Sequence, residues 1–331
     1  MQGIRYMGVA LIFEKIPTVP TADELVDKAF RRASRAGRAK PRDRREAAES
    51  MIMTASNILS DNLIYVVKQF PNLDDLPPFY RDLTDILVGV DRLKMSLASV
   101  HWAGAKVKEI SKGHIGKLRK GGNPSVIRRG AFGRIASIVL EVDSDLALLN
   151  KARDALRSLP DVSEAPTIVV SGYTNVGKSS FVATISTAKP EIAEYPFTTK
   201  GISIGHFMHE RHKYQVIDLP GLLDRPLSER NKIELQAISA LRHLGDVVLF
   251  MLDPSETCGY SLASQKHLLD EIKSELKIPV LVVANKCDLT SDMKKAEADA
   301  LMSAKTGEGV AEVKARLIEM LKERQRSSTR P

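Results

Sequence analysis

The segment Gly172-Tyr173-Thr174-Asn175-Val176-Gly177-Lys178-Ser179 has the residue types and spacing of a phosphate cradle, Gly-x4-Gly-Lys-Ser. Its glycines let the backbone curl until successive N–H groups point at one anion, and a helix opening at Lys178 adds its positive end. The Lys178 ammonium is expected to reach the β- and γ-phosphates of a nucleotide. Ser179, followed by Ser180, is expected to present the hydroxyl that ligates a bridging Mg2+. Such a loop holds a nucleoside triphosphate without choosing its base.

A second cluster supplies the choice. Asn285-Lys286-Cys287-Asp288 follows an apolar run that ends at Ala284. The Asp288 carboxylate offers two acceptors, and guanine offers N1–H and an exocyclic amino group on one edge, so the pair can be bidentate. Adenine lacks both donors and would leave the carboxylate unpaired, a mismatch that can discriminate by roughly 10⁴–10⁵. Asn285 is expected to tie this loop to the phosphate loop, and the Lys286 stem to stack on the base. Downstream, Ser303, Ala304 and Lys305 resemble the GTPase loop whose backbone N–H meets the guanine O6.

Two further segments read as switches. In Asp218-Leu219-Pro220-Gly221, Asp218 is expected to hold Mg2+ through water and the Gly221 N–H to sense the γ-phosphate. Within Tyr195-Pro196-Phe197-Thr198-Thr199-Lys200-Gly201, one threonine is expected to ligate Mg2+ only with GTP bound; Thr199 is the choice and Thr198 the alternative. Many small GTPases carry a water-orienting glutamine after this glycine, whereas this chain has Leu222, which cannot orient a nucleophile. Slow intrinsic hydrolysis of GTP to GDP follows, with another group or an activating partner completing the site. GTPases lacking the glutamine often have asparagine where this chain has Asn175, which points to K+ against the phosphates; a plain bracing role for Asn175 is the alternative.

These residues need a scaffold. Thr167-Ile168-Val169-Val170-Ser171, Tyr214-Gln215-Val216-Ile217, and residues 247–252 and 279–284 are short β-branched runs alternating with helical segments, the pattern of an α/β domain with a mostly parallel sheet. The earlier part of the chain reads as helices. Thr21 and Glu24 form a capping box ahead of a helically spaced apolar set. Further helices are expected from Pro41 to about 70, over 79–88, over 91–118, and as one long element over 124–159, in an antiparallel bundle. The apolar run 7–13 reads as a strand or packing segment rather than a signal peptide. The expected domains are a basic helical bundle over 1–160, a P-loop GTPase domain over 161–323, and a disordered polar tail over 324–331.

Charge divides the chain the same way. Residues 1–160 carry 27 Lys/Arg against 18 Asp/Glu, and residues 161–331 carry 22 against 23. The helical half is therefore the expected partner of a polyanion. Residues 31–45 hold Arg31, Arg32, Arg35, Arg38, Lys40, Arg42, Arg44 and Arg45 against Asp43 alone, and residues 106–134 hold nine cations against Glu109 alone. Aromatic residues make up only 5% of the chain, which favours phosphate and shape recognition of double-stranded RNA over base stacking. The clusters lack interleaved Trp or Phe, so a membrane surface is disfavoured, and Trp102 is read as core. No apolar stretch is long enough to span a bilayer, and two unspaced cysteines, Cys258 and Cys287, suit a reducing cytoplasm.

The motifs from Gly172 to Ser180, the switch from Tyr195 to Gly201, Asp218-Leu219-Pro220-Gly221-Leu222-Leu223-Asp224 and Asn285 to Asp288 together resemble the Obg-like GTPases. Ile16-Pro17-Thr18-Val19-Pro20-Thr21 and Phe70-Pro71-Asn72-Leu73-Asp74-Asp75-Leu76-Pro77-Pro78-Phe79-Tyr80 narrow the resemblance to the nucleolar GTP-binding protein 1 family, in a short, archaeal-type form. That resemblance implies an assembly factor for the large ribosomal subunit, with the helical domain docked on rRNA of the precursor particle; nothing in the sequence argues against a monomer.

Overall fold

The capping box forms as expected. Thr21 accepts from the Glu24 N–H, Glu24 accepts from the Thr21 N–H, and α1 (Ala22–Arg38) begins there. The computed structural model describes residues 13–328 except 40–42, 161, 164, 194, 196–200 and 290–295. Pro41 and residues 7–12 thus lie outside the described residues. The next helix, α2 (Arg44–Gln69), is capped by Asp43, whose side chain accepts from the Arg45 N–H. Then come α3 (Pro78–Val88), α4 (Val90–Arg119), α5 (Pro124–Glu141) and α6 (Asp143–Arg157).

The single helix expected over 124–159 is two helices broken at Val142. The break frees α6 to secure the segment that leads into α1: Asp143 accepts from the Ala22 N–H at 3.0 Å, Asn150 from the Val19 N–H at 3.1 Å, and Arg153 donates to the Ile16 carbonyl at 3.1 Å. These long-range bonds outweigh local helical continuity.

Among the described residues, 13–76 and 87–157 form one compact unit, and 77–86 with 158–328 form another. Most of α3 therefore groups with the second unit rather than with the helices around it in sequence. Tyr80 on α3 supplies the reason: its hydroxyl donates to the Pro160 carbonyl and accepts from the Val162 N–H, both at 2.9 Å. In the helical unit α2 packs on α1 and α4. Phe30 and Phe132 stack with centroids 4.3 Å apart over Ala33, Met51 and Ala55. Ile52, Leu118 and Ala131 form an adjoining core. Burying a side chain such as Ile52 or Leu118 fully is worth roughly 1.5–3 kcal/mol. Trp102 does not join it; the residue is 46% exposed on an α4 face shared with exposed Met95.

Among the described residues the second unit has seven strands: β1 (Thr167–Ser171), β2 (Glu191–Ala193), β3 (Ile202–His209), β4 (His212–Asp218), β5 (Val247–Leu252), β6 (Val280–Ala284) and β7 (Ala300–Leu301). Their order is β2-β3-β4-β1-β5-β6-β7. Pairings β4-β1-β5-β6-β7 are parallel, while β2-β3 and β3-β4 are antiparallel. Helices α7 (Lys178–Ile185), α8 (Lys232–Ala240), α9 (Leu262–Leu276) and α10 (Val310–Ser328) complete the layers. α10 continues through residues expected to be tail, since Glu323 to Arg326 are good helix formers. Every residue of β1 and β5 is buried, which explains their unbroken apolar runs. No helix among the described residues is long and apolar enough to cross a membrane.

Candidate nucleotide-binding site

β1 lies at the centre of the sheet, between β4 and β5, and the loop from Gly172 to Gly177 leaves its carboxyl end to open α7. In open α/β sheets this is where ligands bind. Gly177 has φ 106°, and a Cβ there would collide with the amide nitrogen of Asn285; Gly172 has φ 133°, and a Cβ would strike the Met251 carbonyl. Both glycines are thus required by groups packed against the loop, from β5 and from the segment after β6, as well as by the turn.

The Lys178 ammonium is buried and donates to the Gly172 and Tyr173 carbonyls, each at 2.8 Å. Burial lowers its pKa, against the opposing pull of Asp218 and Asp224. The Ser179 hydroxyl donates to Asp218 Oδ2 at 2.7 Å. Asp218 itself is fully buried, burial raises its pKa, and its Oδ1 has no hydrogen-bond partner. A buried carboxylate oxygen without a partner, beside a serine hydroxyl and a lysine curled onto its own loop, suits a hydrated divalent cation and phosphate oxygens. Thr174, Asn175 and Ser180 are exposed, Val176 is buried, and Tyr173 stacks on Tyr260 with centroids 4.1 Å apart.

The loop after β6 is bound to the phosphate loop through one side chain. Asn285 Nδ2 donates to the Val176 carbonyl at 2.7 Å, and its Oδ1 accepts from the Ala304 N–H at 2.9 Å. Asn285 thereby joins the three segments that carry the predicted contacts. Asp288 is exposed at the rim; Ser303 is buried, accepting from the Thr306 N–H, and Lys305 is exposed. Lys286, at φ 63°, donates to Asp253 Oδ2 at 2.6 Å and to the Thr257 hydroxyl at 2.8 Å.

Asp253 is a site residue that sequence reasoning missed. Its side chain is fully buried at the end of β5. Burial opposes its charge, but hydrogen bonds from Lys286, Ser255 and the Cys258 N–H outweigh that and hold its pKa below the ordinary carboxylate range. The signal was a lone acid directly after the apolar run Val247 to Leu252.

Of the switch residues, Leu219 and Leu222 are buried, Pro220 and Gly221 are partly exposed, and Leu222 faces the core. The Leu222 side chain is buried away from solvent. Thr198 and Thr199 lie outside the described residues. The flanking Tyr195 is buried; its hydroxyl donates to the Ala237 carbonyl at 3.4 Å, and burial drives its pKa far upward.

The sheet order, the Gly-x4-Gly-Lys-Ser loop at its centre and the Asn285-linked loop beside it define the fold of a P-loop GTPase, preceded by a helical domain. The NOG1 N-terminal helical domain family matches residues 13–163, and the nucleolar GTP-binding protein 1 family matches residues 232–288. An uncharacterized protein of Methanocaldococcus jannaschii is 39% identical, over 85% of this chain and 82% of its own. Nucleolar GTP-binding protein 1 of Eremothecium gossypii is 36% identical over 84% of this chain and 45% of its own; that of Saccharomyces cerevisiae is 34% identical over 91% and 48%. A crystal structure described as nucleolar GTP-binding protein 1 of Plasmodium falciparum aligns with TM-score 0.45 and 37% identity, over 51% of this chain and 93% of that one. This chain belongs to the nucleolar GTP-binding protein 1 family. It spans about half the length of the eukaryotic relatives it matches.

Proposed function

We propose that the chain binds GTP and GDP, hydrolyses GTP slowly, and acts as an assembly factor for the large ribosomal subunit. The observation that carries the nucleotide reading is the Asn285 bridge, which sets the base loop and the phosphate loop at one fixed spacing. In this reading the backbone from Gly172 to Lys178 cradles the phosphates, Asp288 pairs with the guanine edge, and Lys286 stacks on the base. The backbone of Ser303, Ala304 and Lys305 covers O6. Ser179 and Asp218, the latter through water, hold Mg2+, with Thr199 or Thr198 joining in the GTP state. Bound Mg2+ neutralises charge developing on the phosphates. Lys178 shares that task, Gly221 reports the γ-phosphate, and Asn175 helps hold K+.

Support for the RNA partner is electrostatic. Arg31, Arg32, Arg35, Arg38, Arg44 and Arg45 are exposed, and Lys112, Lys117, Lys120, Arg129 and Arg134 are exposed without a carboxylate partner among the described residues. Precursor large-subunit rRNA is the polyanion proposed, in the cytoplasm, for a monomeric protein assisted by an unidentified activating partner and not by a membrane. Buried Leu222 favours one rival, an RNA-bound placeholder whose hydrolysis is incidental.

Sedimentation of tagged protein from lysate separates these readings. Co-migration with large-subunit particles that strengthens with a non-hydrolysable GTP analogue and disappears with RNase supports the assembly factor. Normal docking and subunit maturation with Lys178→Ala supports the placeholder, and protein that stays at the top in both nucleotides overturns both and favours a regulatory switch acting on a protein partner. Turnover on the particle is expected to be several-fold faster in KCl than in NaCl; equal rates remove K+ from the proposal.

A further inference from the structure

The following rests on the guanine-nucleotide reading and concerns how the same site tells triphosphate from diphosphate. After Gly221 the chain folds back on itself. The Gly221 N–H donates to Asp224 Oδ2 at 2.9 Å, and the Gly221 carbonyl accepts from Arg230 Nη1. Arg230 also faces Asp224 Oδ1 at 3.5 Å and Glu234 Oε1 at 3.7 Å. Its side chain is fully buried, and that of Asp224 is 8% exposed. The intervening Leu223 carbonyl accepts from the Ser171 hydroxyl and the Gly172 N–H, which binds this turn to the start of the phosphate loop.

A buried ion pair loses the hydration of both partners and is weak grounds for stability alone. Here it has a chemical consequence. The N–H that a γ-phosphate would take is already held by a carboxylate.

We propose that Asp224 sets the preference between GDP and GTP by occupying the Gly221 N–H in place of the γ-phosphate, with Arg230 as the positioning residue that holds it there. A terminal phosphate has to displace the carboxylate and meets its negative charge; GDP meets neither. The Arg230 Nε is buried without a hydrogen-bond partner, so the guanidinium keeps a donor in reserve for the rearranged turn.

Affinities of the full chain for fluorescent GDP and a fluorescent non-hydrolysable GTP analogue, with Mg2+, test this. Asp224→Ala removes the acceptor and is expected to strengthen the analogue about tenfold relative to GDP while GDP affinity stays within about twofold. Asp224→Asn removes charge but keeps an acceptor, and a smaller shift in the same direction is expected. An unchanged ratio in variants that bind GDP normally overturns the proposal and leaves the nucleotide reading intact. Failure of the unaltered protein to bind either nucleotide overturns both. Should the variants not fold, the Gly221 amide of the 15N-labelled unaltered protein decides: with GDP its proton is expected downfield, as for an N–H bonded to a carboxylate, and to move when the analogue replaces GDP. A Gly221 proton at an unbonded loop position with GDP overturns the proposal.

Discussion

The α/β unit and the helical unit hold their proposed functions in different ways. In the first, a few atoms in fixed relation carry it: two oxygens of Asp288, one ammonium of Lys178, one amide of Asn285. In the second, charge is spread over many exposed cations on separate helices, and several are partly spent on local carboxylates, as Arg119 is on Glu49 at 2.7 Å and Lys108 on Asp61 at 3.1 Å. Directional bonds to a small ligand fail when one atom moves. Coulombic attraction to a polyanion is additive and screened by salt, so it tolerates the removal of any one contributor. One unit should therefore respond to single substitutions abruptly, and the other gradually.

The largest effect expected is at Asp288. Asp288→Ala should weaken GDP and GTP by about 10³-fold and erase discrimination against adenine nucleotides, measured by competition for labelled GDP. Retained guanine preference would move specificity elsewhere in the site and remove the sharpest feature of the comparison.

A middle-sized effect is expected from Asp253. Its folded pKa lies below the unfolded value, so its contribution to stability is present above the ordinary carboxylate pKa of ~4 and disappears as pH falls through the depressed folded value. Asp253→Asn should lower the thermal midpoint at neutral pH and speed GDP release through a loosened Lys286, and the gap to the unaltered protein should close in acid. A gap that does not change with pH would assign Asp253 a packing role instead of an electrostatic one.

The smallest single effects belong to the helical unit. Replacing any one of Arg31, Arg35, Lys117 or Arg134 by alanine should weaken RNA binding only a few-fold. Each phosphate left without its cation should reduce the salt slope by about 0.7–0.9, and the reductions should add when substitutions are combined. Abolished binding from one such change would break the comparison, since it would expose a specific interaction where distributed charge is argued.

The two units also differed in how well their sequences could be read. The fully buried strands β1 and β5 were legible because both faces are covered and their runs are dense in β-branched and apolar residues. β3 was missed although Ile202, Ile204 and Phe207 are buried, since Gly205 and His206 interrupt the alternation; β2 and β7, at three and two residues, are too short to carry a pattern. In the helical unit, periodicity located the helices. It gave no warning of the break at Val142, which long-range bonds from Asp143, Asn150 and Arg153 impose, nor of α3 joining the other unit through Tyr80. Trp102 shows the same limit, because helical spacing reports a face but not whether anything covers it.

By itself the sequence determined the chemistry on offer: a loop able to cradle phosphate, a carboxylate able to read guanine, and a basic half set before a neutral one. Each depends on residue types at short spacing, where the local chain fixes geometry. Tertiary structure alone decided which distant groups meet. It carried Asn285 to the Val176 carbonyl, set Asp253 against Lys286, buried Leu222 away from solvent, and gave the Gly221 N–H to Asp224. The physical reason is that these meetings come from strands near one another in the sheet but far apart in the chain, and from a turn whose partners are selected by burial rather than by local preference.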